Sequence, residues 1–135
     1  MTRYINPSGN VKYDNEDELK EQLEKYFFPT FFDKPWKPQL EITKEVWISH
    51  KDRIDYCGLK NKKKTYIEVK NWFVTHKDMI QIAGYEAMIQ SYNFYVICGG
   101  IEKGRQRILE NAYGINIILV KDIKEIDPGE LCHWM

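Results

Sequence analysis

Between Arg53 and Lys70 two strand-like runs, Arg53 to Leu59 and Tyr66 to Lys70, are separated by little more than the five polar residues Lys60, Asn61, Lys62, Lys63 and Lys64. A connection that short cannot carry a crossover helix, so the two runs must pair as an antiparallel hairpin. A further strand-like stretch, Leu40 to Ile48, precedes them and extends the hairpin to a three-stranded meander.

The flanking segments read as follows. Met1 to Tyr13, with Pro7 and Gly9, is expected to be an irregular lead-in, and Asp14 or Asn15 to cap a helix carrying Leu19, Leu23, Tyr26 and Phe27 at helical spacing. Pro29 is expected to end that helix, with Pro35 and Pro38 keeping the next stretch non-helical. Thr75 and Asp78 form a capping-box pattern for a helix from about His76 to Gln90, with Ile80, Ala83, Ala87 and Met88 as its apolar spacing. Phe94 to Cys98 reads as a buried strand broken by Gly99 and Gly100, Glu102 to Ala112 as a helix stopped near Gly114, and Ile115 to Val120 as another strand. Lys121 to Met135 has no regular pattern. The string α–β–β–β–α–β–α–β predicts an α/β domain with a mixed sheet, meander plus crossover, flanked by helices.

At 135 residues the chain suits one domain, with a core expected over about 14–120. Its 43% hydrophobic and 30% charged residues fit a globular protein. Twenty basic and twenty acidic side chains cancel, so net charge does not point to nucleic acid, and any such case must rest on local chemistry. The three cysteines, Cys57, Cys98 and Cys132, lack metal-like spacing, and free buried thiols in a reducing, intracellular setting are expected. No apolar run approaches the ~18–20 residues of a bilayer span, and no signal core occupies Met1 to Asn10, so no membrane partner is expected.

Chemistry concentrates on the hairpin. Strand alternation sends Ile67 and Val69 to one face and Tyr66, Glu68 and Lys70 to the other, while Ile54 and Tyr56 would share a face opposite Arg53, Asp55 and Cys57. Pairing brings Asp55 across from Glu68. Two adjacent carboxylates repel unless one is protonated or a cation lies between them, and a hard divalent ion suits that oxygen set. The Val69 carbonyl is a candidate further ligand, and Lys70 stands ready to orient a water or to neutralise developing negative charge.

Asp55 in Arg53-Ile54-Asp55-Tyr56, with Glu68-Val69-Lys70, resembles the PD-(D/E)XK nuclease superfamily, which includes restriction endonucleases, Holliday-junction resolvases and RecB-like exonucleases. Ile54 stands where the family name has proline. The resemblance spans roughly Glu16 to Val120 and implies a restriction-endonuclease-like fold, Mg²⁺ or Mn²⁺ as cofactor, DNA as partner, and phosphodiester hydrolysis. It implies metal ligands at Asp55, Glu68 and Val69, with Asp55, Glu68 and Lys70 catalytic.

A glutamate on the first helix often joins such sites. Glu16 shares the side of Leu19 and Leu23, with Glu18, Glu21 and Glu24 as competitors, against the plain alternative of an acidic helix start favoured by the macrodipole. Gln81-Ile82-Ala83-Gly84-Tyr85 is similar to the QxxxY element of RecB-like nucleases. In that reading Gln81 holds the lysine or the scissile strand, Tyr85 meets substrate, and Gly84 admits a close backbone. Three cysteines at unsuitable spacing predict no iron–sulfur cluster.

Lys62, Lys63 and Lys64 are candidate phosphate contacts or simply a solvated turn, and His76 and Lys77 also stand near enough in sequence to meet phosphate. His50 reads as an ordinary loop residue and Asp52 as a turn residue. Trp47, Trp72 and Tyr92 read as core or rim, with Trp72 the one placed to stack a base. Cutting both strands of a duplex from one site per chain would favour a homodimer. The competing readings are an inactive nucleic-acid-binding or protein-interaction module of the same fold, and an unrelated interaction protein in which Glu68 and Lys70 form a surface ion pair.

Overall fold

The computed structural model describes residues 2–34, 44–47, 53–91, 93–126 and 130–133. Its hairpin joins β4 (Arg53–Lys60) to β5 (Lys63–Phe73), antiparallel, with Lys60 opposite Lys63 and Tyr56 opposite Ile67. The turn is only Asn61 and Lys62, both left-handed (φ 53° and 66°), a pairing that matches strand twist in two-residue hairpins. Lys60, Lys63 and Lys64, expected in the turn, are therefore strand residues. The Asp33 carboxylate accepts the Asn61 and Lys62 backbone N–H groups at 2.9 and 2.7 Å, which holds its pKa below the usual value. β3 (Lys44–Trp47) pairs antiparallel with β4 and completes the meander. The remainder of the expected strand at 40–48, with Pro35, Pro38, His50, Asp52 and Tyr92, lies outside the described residues.

After β5, the Thr75–Asp78 capping box forms as expected and starts α3 (His76–Ile89). β6 (Phe94–Gly100) returns parallel to β5. The helix α4 (Lys103–Arg107) runs on into a π-helical turn, Ile108–Ala112, and β7 (Asn116–Leu119) lies parallel to β6. The sheet order β3-β4-β5-β6-β7 is the mixed, helix-flanked sheet that the pattern predicts. Gly99 and Gly100 continue β6 rather than breaking it. A methyl at Gly99 would run into the carbonyl oxygens of Val11 and Asn71, so glycine marks a close backbone approach there.

Two cores cover the two faces. On one, Leu19 of α1 (Glu16–Gln22), Leu23 and Phe28 pack with Tyr56, Ile67, Val69 and Ile97. On the other, Ile82 and Tyr85 of α3 pack with Ile54, Val96, Cys98, Leu109 and Ile115. Asn15 caps α1 by accepting the Glu18 N–H at 2.9 Å. Pro29 does not end this helical segment. A π-helical turn, Leu23–Phe27, carries the chain into a short α2 (Phe28–Phe31), where proline sits in the first turn and its missing donor goes unused.

The apolar face of α3 also differs from the expected one. Ile80 is 60% exposed and Met88 46%, while Ile82 and Tyr85 are buried. Apolar residues occur on both sides of this helix, and a branched side chain plus an aromatic ring remove more area from water than two alanines do.

The ends of the described chain are less irregular than their composition suggests. β1 (Thr2–Ile5) pairs antiparallel with β2 (Val11–Tyr13) and parallel with β8 (Glu130–His133), forming a small second sheet. Val11, Tyr13, Ile123 and Ile126 join the core under α1. The Asn71 side chain ties this sheet to β5, accepting the Tyr13 N–H at 2.9 Å and donating to the Tyr13 carbonyl at 2.8 Å. Among the described residues no helix is long and apolar enough to cross a membrane.

Candidate active site

The site forms where the hairpin comes apart. Ladder pairing of β4 with β5 stops at Tyr56 and Ile67, although β4 continues back to Arg53. Ile54 is buried under α3 and Tyr56 under α1, so the two do not share a face as strict alternation predicts. Asp55 lies between them. Its carboxylate Oδ2 accepts the Val69 N–H at 2.8 Å, and its own N–H points to Glu68 Oε1 at 3.3 Å. Two side chain–backbone bonds thus stand in for the missing ladder. In an extended strand the N–H and C=O of one residue point to the same edge, so the Val69 carbonyl shares the edge that faces Asp55.

Asp55, Glu68, Lys70 and Gln81, singled out from the sequence, meet here. Glu68 is 5% exposed. Burial first, and the facing Asp55 second, push its pKa up to about 8 against the opposing pull of Lys70. The Lys70 ammonium donates to Gln81 Oε1 at 2.8 Å and lies 3.5 Å from Glu68 Oε2 and 3.7 Å from Asp78 Oδ1. The capping residue of α3 thereby also faces the site lysine, a role the sequence reading did not give Asp78.

From the other side of the sheet α1 contributes Glu16 and Lys20. Lys20 Nζ lies 2.8 Å from Asp55 Oδ1 and 3.4 Å from Glu16 Oε2. Burial works against the Lys20 charge, but Asp55 and Glu16 outweigh it and raise the lysine's pKa. Glu16 is raised by burial and then by Asp55. Among the competitors, Glu24 accepts the Tyr56 hydroxyl at 2.8 Å. Lys20 was missed. Its signal was its position four residues after Glu16, on the same helical face.

Other expected participants are not gathered here. Tyr85 is 6% exposed in the core under α3, so its ring is not available to stack on a substrate. Gly84 faces open space, and among the described residues nothing lies near an added methyl. Lys62, Lys63 and Lys64 sit at the hairpin tip. Even Lys64, on the Glu68 face, is about 13 Å away along the strand, with its amine over the Tyr66 ring at 5.5 Å. His76 and Lys77 are exposed at the start of α3. Trp72 packs edge-on against Phe73, ring centroids 4.7 Å apart. Cys57 and Cys98 are buried free thiols, raised in pKa by burial, and Cys132 falls in β8.

Among the described residues no three His, Cys, Asp or Glu side chains converge as a metal-binding group. The donors present are two carboxylates and a carbonyl edge, all hard oxygens. A carboxylate driven toward protonation by burial and then by its neighbour fits a small divalent ion that keeps most of its waters.

Neither a family model nor a curated protein sequence matches the chain. Among solved structures it is similar to the crystal structure of a repair endonuclease from Pyrococcus abyssi, with a TM-score of 0.59 and 18% identity over 80% of this chain and 47% of that one. The chain thus spans about half the length of that structure. The likeness is one of fold: a mixed sheet flanked by helices, arranged as in a nuclease.

Proposed function

We propose that the chain is a Mg²⁺- or Mn²⁺-dependent deoxyribonuclease of the PD-(D/E)XK type. The observation that carries this reading is the meeting of Asp55, Glu68 and Lys70 where β4 parts from β5, on a fold similar to that of a repair endonuclease. Asp55, Glu68 and the Val69 carbonyl would hold the metal, and Glu16 would reach it through a water. The ion, when bound, lowers the pKa of its water and offsets charge on the phosphoryl oxygen.

The chain's own residues supply the rest. Lys70, held by Gln81 at 2.8 Å, presents its ammonium beside Glu68, where it orients the attacking water and opposes the developing negative charge. Asp78 keeps that ammonium from swinging into solvent. Lys62, Lys63 and Lys64 would meet only flanking phosphates of a bound DNA, and two copies of the chain would serve the two strands of a duplex.

The test is incubation with Mg²⁺ or Mn²⁺ and labelled DNA as single strand, linear duplex, closed circle and four-way junction, with Lys70→Ala alongside. Metal-dependent cleavage by the wild type alone supports the reading. DNA binding without cleavage under every metal would assign the inactive module of the same fold. A chain that binds neither metal nor DNA is no nuclease.

A further inference from the structure

We infer that Lys20 is a positioning residue that holds Asp55 in the metal-free protein and gives up that carboxylate when a divalent cation binds. This rests on the metal site proposed above. The Lys20 ammonium is 2.8 Å from Asp55 Oδ1, while Oδ2 accepts the Val69 N–H at 2.8 Å, so both oxygens of the carboxylate are engaged. The lysine is not a loose surface charge. Its side chain is 15% exposed, and it enters from α1, on the sheet face opposite α3.

An ammonium and a divalent ion cannot both sit against one carboxylate oxygen, because like charges at that range repel strongly where water is scarce. The cation must therefore displace the lysine from Oδ1. Glu16 makes the displacement feasible. Its carboxylate is 3.4 Å from Lys20 Nζ and 42% exposed, so the released ammonium keeps a partner and gains water. Without metal, Lys20 offsets the charge of a carboxylate held beside the nearly buried Glu68. With metal, the same lysine moves to the rim, leaving Lys70 as the ammonium beside the two carboxylates.

The experiment is calorimetric titration of Mn²⁺ alone into metal-free wild type, Lys20→Met and Lys20→Arg, with thermal unfolding of each in the absence and presence of saturating Mn²⁺. Lys20→Met is expected to bind Mn²⁺ about tenfold more tightly than wild type, since no charge has to be displaced, and Lys20→Arg to bind like wild type. Metal-free Lys20→Met should melt below wild type, and Mn²⁺ should raise its melting temperature by more than it raises that of wild type. Equal affinities, with the same loss of stability with and without metal, would make Lys20 a plain structural bridge and overturn the inference. Weaker binding by Lys20→Met would also overturn it, since the lysine would then be building the site. Binding by none of the three proteins would remove the inference together with the metal site itself. If Lys20→Met does not fold, Lys20→Gln replaces it, because its amide still reaches toward Asp55 without charge.

Discussion

Asp55 Oδ2 and the Val69 backbone nitrogen lie 2.8 Å apart, so a side chain of β4 closes a bond that strand pairing would otherwise make. The residue proposed to hold the metal is therefore also part of the sheet. Asp55→Ala leaves the Val69 N–H and the Lys20 ammonium without this partner, at a cost of about 1–3 kcal/mol. Asp55→Asn keeps one acceptor, enough for the Val69 N–H or the Lys20 ammonium but not for both, and should fall between wild type and Asp55→Ala. Both variants should lose cleavage. Urea unfolding beside the DNA assay checks this, and wild-type stability in Asp55→Ala would show that the bond carries no weight.

Glu68 makes stability fall as pH rises. Its folded pKa, about 8, lies above the unfolded value of 4.5. Below 4.5 the group is protonated in both states. Between 4.5 and 8 the unfolded chain releases the proton while the folded protein keeps it, so this contribution is lost progressively and is gone above 8. Glu68→Gln cannot ionise. In metal-free buffer its stability relative to wild type should grow from pH 4.5 to 8, by up to roughly 5 kcal/mol. A constant difference across that window would mean that Glu68 titrates normally.

Gln81 is exposed, so its removal should cost the fold little, yet it is the nearest acceptor of the Lys70 ammonium. Gln81→Ala is expected to lower the cleavage rate by about tenfold or more while leaving the melting temperature unchanged, because a loosened lysine falls back on Glu68 and Asp78. Unchanged cleavage would restrict Gln81 to the surface.

Two glycines should respond in opposite directions. Gly84 lies inside α3 facing open space, and Gly84→Ala should stabilise by about 0.5–1 kcal/mol with cleavage intact. Gly99→Ala would press a methyl against two backbone carbonyls and should destabilise by about 2 kcal/mol or more. Chemical denaturation of both variants settles the contrast.

The meander and its crossovers were legible because long strands and capped helices repeat their pattern often enough to be read. Asp55, Glu68 and Lys70 were legible because opposite charges on an apolar strand have no packing reason to be there. Strands of three or four residues, such as β1, β2 and β8, hold too few alternations to stand out and are made by partners distant in sequence. The buried face of α3 was misassigned because Ile80 and Met88 compete with Ile82 and Tyr85, and only the sheet decides between them. Lys20 escaped notice because its partner, Asp55, comes from a different element. Tyr85 illustrates the reverse: a four-residue spacing to Gln81 does not put both side chains in the same surroundings when one is large and apolar.

In β5, Lys70 turns toward α3 while its neighbour Asn71 clasps Tyr13 of the small sheet. Parity along one strand thus separates chemistry from fastening. A single-residue deletion between Tyr66 and Lys70 would turn the faces over, sending the Asn71 amide to the proposed cleavage centre and the lysine into the apolar place of Val69. The strand should therefore accept many substitutions but no change of length, whereas an insertion at the exposed Asn61-Lys62 corner would break the tight turn and its two bonds to Asp33 but leave the parity of Glu68 and Lys70 intact.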